Sequence, residues 1–269
     1  MIRKLKYILM DPTGNRTILV DTPVPEDEHP AVAAKLMEKE SAAEQVGFLS
    51  FSGNREYSLR MAGGEFCGNA AMSAAVYRGM LTGQKTGEIV VKVSGAPEPV
   101  RVKISARDDG SWQGIVEMPR PRSIEIIRFP EGPALPVVSF SGISHVILEQ
   151  KLPEREAERF AKSWCGYLKA DALGLMFLDK EQGRLSPLVY VPAADTLFWE
   201  SSCGSGTSAV GAWLAKGSGK PVKIPLQQPG GILEISAEPN GPLFLKGTVR
   251  CLYNKETELE WQESGETPS

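Results

Sequence analysis

Two short stretches of this chain combine residue types and spacing suited to proton chemistry. Cys67 opens the text F-C-G-N-A-A-M-S-A-A-V-Y, and Cys203 opens S-C-G-S-G-T-S-A-V-G-A-W. In both, a thiol is followed by glycine and a run of small and apolar residues, which predicts a helix beginning at each cysteine. A helix N-terminus exposes N–H groups without intrahelical acceptors and carries the positive end of the macrodipole, so it favours a thiolate and also binds a carboxylate. A thiol that titrates near about 8.5 can drop to about 7 or lower at such a position. One cysteine could then take a proton while the other gives one, which is the logic of racemisation without a cofactor. Gly68 and Gly204 let the backbone approach a small anion closely. Helix-end N–H groups could hold an α-carboxylate and delocalise charge as the neighbouring Cα–H is removed.

A lone cytosolic cysteine is most often a buried small hydrophobe, and Cys165 and Cys251, which have no matching partner in the text, keep that reading. The scatter of the four cysteines disfavours a zinc site, and no metal is expected. They form neither a C-x-x-C pair nor a disulfide framework, which predicts free thiols in a reducing, cytoplasmic setting. With 30 Lys+Arg against 33 Asp+Glu, no sequence-independent grip on nucleic acid or on an anionic membrane is expected. Residues 1–20 do not read as a signal peptide, and no apolar run is long enough to span a bilayer.

The elements that must position the cysteines are short strands bounded by Gly, Pro and Asp, and a few helices. Strands are expected at 7–9, 18–20, 46–51, 57–61, 89–93, 100–104 and 114–118, then at 124–129, 137–148, 173–178, 188–191 and 197–199. Helices are expected at 31–39 and, as an amphipathic surface helix, 153–168. Two more, 68–81 and 205–216, carry small and apolar residues on every face and are expected to be buried within a sheet. Gly95 lies 28 residues after Cys67 and Gly231 lies 28 after Cys203. That spacing predicts a duplicated unit of one helix plus a hairpin, and two such units related by a pseudo-two-fold axis. The junction is expected in Pro119-Arg120-Pro121-Arg122, giving an N-terminal lobe of 1–118, with which the tail 252–269 packs, and a C-terminal lobe of 119–251. The final E-S-G-E-T-P-S is expected to fray. His29, before Pro30, reads as an exposed helix start, and Asn15 in T-G-N as a left-handed turn residue.

These residues resemble the diaminopimelate epimerase-like fold family, which includes amino-acid racemases and epimerases that need no pyridoxal phosphate. C-G-N at Cys67 and C-G-S-G at Cys203 look like its two catalytic cysteine motifs, and D-P-T-G-N at 11–15 looks like its substrate-binding turn. The resemblance implies an α+β fold of two pseudo-symmetric lobes, each a curved, mostly antiparallel sheet or barrel around a central helix, with substrate in the cleft between them. It implies Cys67 and Cys203 as the acid–base pair, and Asn15, Asn69 and the main chain at Gly68, Gly204 and Ser205 as the grip on the α-amino acid group. Diaminopimelate epimerase carries an arginine before its second cysteine, where it answers a distal carboxylate. This chain has F-W-E-S-S-C, with Glu200 and no arginine, so a dicarboxylic substrate loses its natural partner.

The text is more similar to the histidine racemase branch of the same fold, which serves staphylopine-type opine metallophore synthesis. The similar blocks are T-G-N-R-T-I-L-V (13–20), E-Q-V-G-F (44–48), G-G-E-F-C-G-N-A-A-M-S (63–73), W-E-S-S-C-G-S-G-T (199–207) and Q-P-G-G (228–231). This resemblance implies Glu44 near the substrate side chain, where a carboxylate suits an imidazole N–H. It implies no cofactor, a small amino-acid substrate and pairing into a homodimer. Glu200 is expected either to orient the second cysteine loop or substrate, or to cap a turn. His145 matches a histidine that this fold often has near the cleft, but one histidine beside a strand is more often structural, and it stands outside the catalytic set. The alternatives are racemisation or epimerisation of another amino acid, since C-G-S-G-T-S-A also resembles a proline racemase motif, and an amino-acid binder without catalysis. A phenazine-type isomerase is disfavoured because it lacks the cysteine pair.

Overall fold

Small residues decide where the two buried helices go. The structure, a computed structural model, describes residues 2–51, 57–130 and 132–260. The first part runs β1 (Ile2–Pro12), β2 (Thr17–Val20), α1 (His29–Lys39), β3 (Gln45–Phe51), β4 (Tyr57–Met61), α2 (Gly68–Thr82), β5 (Thr86–Val93), β6 (Val100–Ala106) and β7 (Trp112–Met118). The second runs β8 (Ser123–Arg128), β9 (Ala134–Ser139), β10 (Ser144–Leu148), α3 (Glu154–Leu168), β11 (Leu173–Asp179), β12 (Arg184–Val191), β13 (Thr196–Trp199), α4 (Gly204–Ser218), β14 (Val222–Gln228), β15 (Gly231–Ala237) and β16 (Leu243–Glu260). The chain divides into two compact units, one of residues up to Val116 together with the chain from Thr248 onward, the other Glu117–Gly247.

In the first unit the strands follow the order β1-β2-β3-β4-β5-β6-β7-β16, and β16 pairs back onto β1, closing an eight-stranded barrel. Helix α2 is buried at every position from Gly68 to Tyr77 and packs on β1, β2, β4, β5 and β6. Its alanines and Ser73 let it lie close to the strands, and Gly114 on β7 makes room for Met72, whose side chain a Cβ there would meet at 2.9 Å. In the second unit β8, β9, β10, β11, β12, β14, β15 and the start of β16 lie side by side, with β13 folded back on β12. Helix α4 packs on β9, β10, β11, β14 and β15, and Gly211 is seated against Ile235, 2.5 Å from where its Cβ would be.

The two units share one wiring. Parallel pairing occurs at β2–β3, β4–β5, β10–β11 and β12–β14, each bridged by a helix, and hairpins β5–β6 and β14–β15 follow the buried helices. Both buried helices have 15 residues and end on a left-handed glycine, Gly83 (φ 73°) and Gly219 (φ 66°). The other two helices cover the sheets from outside: α1 sets Val32 and Leu36 against β1–β3, and α3 stacks Phe160 and Trp164 with Phe129.

Three local expectations are corrected. The single strand expected at 137–148 is two strands, because Gly142 (φ 83°) turns the chain between β9 and β10. His29 is 4% exposed and stacks on Phe48 at 3.7 Å, so it is a core residue at the helix start. The left-handed residues of the β1–β2 turn are Thr13 and Gly14, not Asn15. The terminal E-S-G-E-T-P-S lies outside the described residues.

A buried carboxylate fastens the first unit. Glu40 ends α1 and accepts hydrogen bonds from Tyr7 (2.5 Å), Tyr253 (2.5 Å) and Lys255 (2.7 Å). Burial alone would raise this carboxyl, but the three donors and the Lys255 charge outweigh it and hold Glu40 at about 2. A depressed carboxyl stabilises the fold fully above its unfolded value of 4.5, and that contribution is lost as pH falls towards 2. Glu40→Gln is expected to destabilise at neutral pH by on the order of 3 kcal/mol. The gap between the two urea midpoints is expected to shrink between pH 4.5 and the acid limit; a gap independent of pH would assign Glu40 a purely steric role.

Candidate active site

Cysteine occupies the position where helices ordinarily place Ser, Thr, Asp or Asn. Cys67 is the N-cap of α2, with extended backbone (φ −131°, ψ 113°), and its Sγ accepts the Ala70 N–H at 3.4 Å. Cys203 is the N-cap of α4 with nearly the same backbone (φ −121°, ψ 109°), and its Sγ accepts the Gly206 N–H at 3.3 Å. In each helix the thiol therefore takes the third N–H. The N–H groups at the first two positions of a helix lie at its open end and suit an anion, and here these positions are Gly68 and Asn69 in α2 and Gly204 and Ser205 in α4.

The surroundings of the two thiols differ. Cys67 is half-buried, whereas Cys203 is 5% exposed. Burial pushes the Cys203 thiol well above its ordinary value, and the Glu200 carboxylate, charged and hydrogen-bonded to it, pushes further; the Ser205 hydroxyl and the Gly206 N–H oppose this without overcoming it. The expected depression of a thiol at a helix N-terminus is thus reversed at Cys203, because desolvation and a like charge exceed what one N–H and the helix dipole supply. Cys203 rests as a thiol. Glu200, half-buried after β13, is placed against it, with its backbone N–H donating to Pro187 O at 3.0 Å.

Each cysteine loop is gripped by the hairpin that follows its own helix. In the first unit Ser94 Oγ donates to Glu65 O (2.8 Å) and accepts from Met61 N (2.9 Å). Gly95 comes so close that a Cβ would lie 2.4 Å from Phe66 N. In the second, Gly230 N donates to Ser201 O (2.7 Å), and Gln228 Oε1 accepts the Cys203 N–H (2.9 Å). This is the physical content of the 28-residue spacing in the sequence. Ser94 and Gln228 carry these grips and are not among the site residues named from the sequence; their signals there are the repeated spacing and the Q-P-G-G block.

Asn15 and Glu44 meet. Asn15 is buried and its Nδ2 donates to Glu44 Oε2 at 2.9 Å, while its Oδ1 accepts from Gln45 Nε2 at 2.5 Å. Glu44 is solvent-exposed, with its backbone N–H on Arg16 O. Strand register puts them with the first cysteine: Thr17 pairs with Gln45, Gly47 with Met61 and Leu59 with Val93, so the 11–16 turn, Glu44, the loop to Cys67 and the Ser94–Gly95 turn leave the sheet at one end. His145, on β10, is fully buried, and neither ring nitrogen has a hydrogen-bond partner among the described residues. Burial lowers it to about 3, so it is neutral, seated in the space left by Gly174, whose Cβ would lie 2.3 Å from Nδ1. Among the described residues no group of three or more His, Cys, Asp or Glu side chains could hold a metal ion, and no helix is long and apolar enough to cross a membrane.

An α+β fold with a closed eight-stranded barrel and few helices is shared with solved structures of low sequence identity. A PhzF-family phenazine biosynthesis protein of Bacillus anthracis has a TM-score of 0.69 at 14% identity, covering 96% of this chain and 100% of that one. A hydroxyproline epimerase from Agrobacterium vitis has a TM-score of 0.64 at 10% identity, covering 96% and 93%. At these identities the likeness defines the fold. The sequence profile of the histidine racemase CntK N-terminal domain matches residues 4–249. A histidine racemase of Fusobacterium nucleatum subsp. nucleatum is 32% identical over 262 residues, 93% of this chain and 96% of its own length. One from Staphylococcus aureus is 30% identical over 246 residues, 87% and 89%. The chain belongs to the histidine racemase family and is an isomerase of the racemase class.

Proposed function

We propose that the chain interconverts L- and D-histidine by two-base proton transfer, with Cys67 and Cys203 as the acid–base residues and no cofactor. The observation that carries this reading is the matched placement of two thiols as N-caps of two 15-residue helices with nearly equal backbone angles. One thiolate removes the α-proton, and the other thiol delivers a proton to the opposite face of the carbon. The α-carboxylate is held by N–H groups at the first two positions of the helices, at Gly68, Asn69, Gly204 and Ser205, where it also draws off charge as the Cα–H bond breaks. Glu200 takes up the proton of Cys203 when that residue must act as base, which the hydrogen bond between them supports. Asn15 holds Glu44 at 2.9 Å, and the oriented carboxylate receives the imidazole.

In this reading the fold is two pseudo-symmetric lobes, each built around its buried helix, and the shared wiring of the two units supports it. The enzyme is cytoplasmic and supplies D-histidine for an opine metallophore. The test is incubation with L-histidine in D₂O, followed by chiral chromatography and mass spectrometry. D-histidine carrying one α-deuterium is expected. Absence of both inversion and deuterium uptake would end the histidine assignment, and turnover of proline or another amino acid in the same assay would replace it.

A further inference from the structure

We propose that Gln228 is a positioning residue for Cys203, closing with Thr207 a ring of hydrogen bonds that fixes the backbone from which the thiol is presented. The Cys203 N–H donates to Gln228 Oε1 at 2.9 Å, Gln228 Nε2 donates to Thr207 Oγ1 at 2.8 Å, and Thr207 Oγ1 donates to Cys203 O at 2.6 Å. Both polar backbone groups of one residue are thereby held by two side chains from different elements, the end of β14 and the first turn of α4. Gln228 is 2% exposed and Thr207 is fully buried, so water cannot substitute for either. Rotation about the Cys203 backbone would carry Sγ off the Gly206 N–H and away from Glu200; the ring prevents it. The Cys203 N–H is spent on Gln228, so it is not among the donors facing substrate. Proton transfer at carbon needs the sulfur placed to within a fraction of an ångström, and a displacement of about 1 Å can cost about a hundredfold in rate.

The catalytic part of this inference rests on Cys203 being an acid–base residue; the positioning part does not. Gln228→Met keeps the volume and removes both hydrogen bonds. It is expected to lower kcat by about tenfold or more with KM little changed. Alkylation of Cys203 by iodoacetamide, followed on its own peptide by mass spectrometry, is expected to speed up severalfold while that of Cys67 stays at the wild-type rate. Thr207→Val is expected to reproduce both effects, and Thr207→Ser, which keeps the hydroxyl, to restore both. Should Gln228→Met not fold, the Thr207→Val and Thr207→Ser pair decides. Wild-type kcat and wild-type Cys203 reactivity in Gln228→Met would overturn the proposal, as would a parallel rise at both cysteines, which marks general loosening. If the wild-type protein fails to racemise histidine, the alkylation rates still test the ring.

Discussion

Cys203→Ala is expected to lower racemisation in both directions by at least about a thousandfold, and Cys67→Ala to do the same. A single thiol can serve only one face of the α-carbon, and among the described helices only α2 and α4 have an N-cap side chain that accepts a backbone N–H. The loss is expected to be uneven in one respect. With Cys203 gone, Cys67 can still remove and return the proton on its own face, so one enantiomer is expected to exchange its α-proton with D₂O without inverting. The other enantiomer is expected to exchange in Cys67→Ala. Chiral separation followed by mass spectrometry reads both, and the enantiomer that exchanges identifies the face each thiol serves. Full racemisation by either variant would remove the two-base assignment.

Gly95→Ala is expected to reduce activity by about a hundredfold through Cys67. The added methyl would lie 2.4 Å from Phe66 N and 2.8 Å from Glu65 C, both backbone atoms that cannot rotate aside, and the residue has φ +72°. The chain must therefore move the loop that leads into the cysteine. Gly83→Ala supplies the control, because its φ is +73° and a Cβ there meets nothing within 4 Å. It carries the left-handed strain alone, about 1 kcal/mol, and is expected to leave kcat unchanged. Equal losses of activity in the two variants would show that backbone strain, and not the contact with the cysteine loop, sets the effect.

The candidate site is legible where one residue type at one helix end marks it. Cys67 and Cys203 announce themselves by the glycine and small residues after them, and Asn15 and Glu44 stand in recognisable blocks whose side chains do meet. What stayed hidden depends on groups distant in sequence. The environment of Cys203 is set by burial and by Glu200, and a local text that says helix N-terminus cannot report desolvation. Gln228 reaches Cys203 only because β14 ends beside that loop. His29 looks exposed in H-P-A-V until Phe48, on β3, covers it. The last strand was hidden for a different reason. Residues 254–260, N-K-E-T-E-L-E, lie in the tail expected to pack with the N-terminal lobe but lack the apolar alternation that marks a strand, yet Lys6 and Lys4 of β1 meet Glu256 and Glu258 across the ladder, and α1 sends Lys39 to Glu258 O. Its partners are at the other end of the sequence.

That strand has a consequence for synthesis. Ile2 pairs with Glu260 and Pro12 with Val249, so β1 waits for a strand that is made after the whole of the second unit. Until β16 emerges, the barrel of the first unit is an open sheet with β1 as a bare edge, the kind of edge that recruits other chains. The second unit needs only the start of the same strand, Leu243–Lys246, which pairs with β15. The second unit has all its chain once residue 247 has left the ribosome, while the first still lacks the part of β16 that closes it. The lysines of β1 and α1, which the mature fold uses to hold the glutamates of β16, would in that interval keep the waiting edge charged and disfavour its pairing with a neighbour.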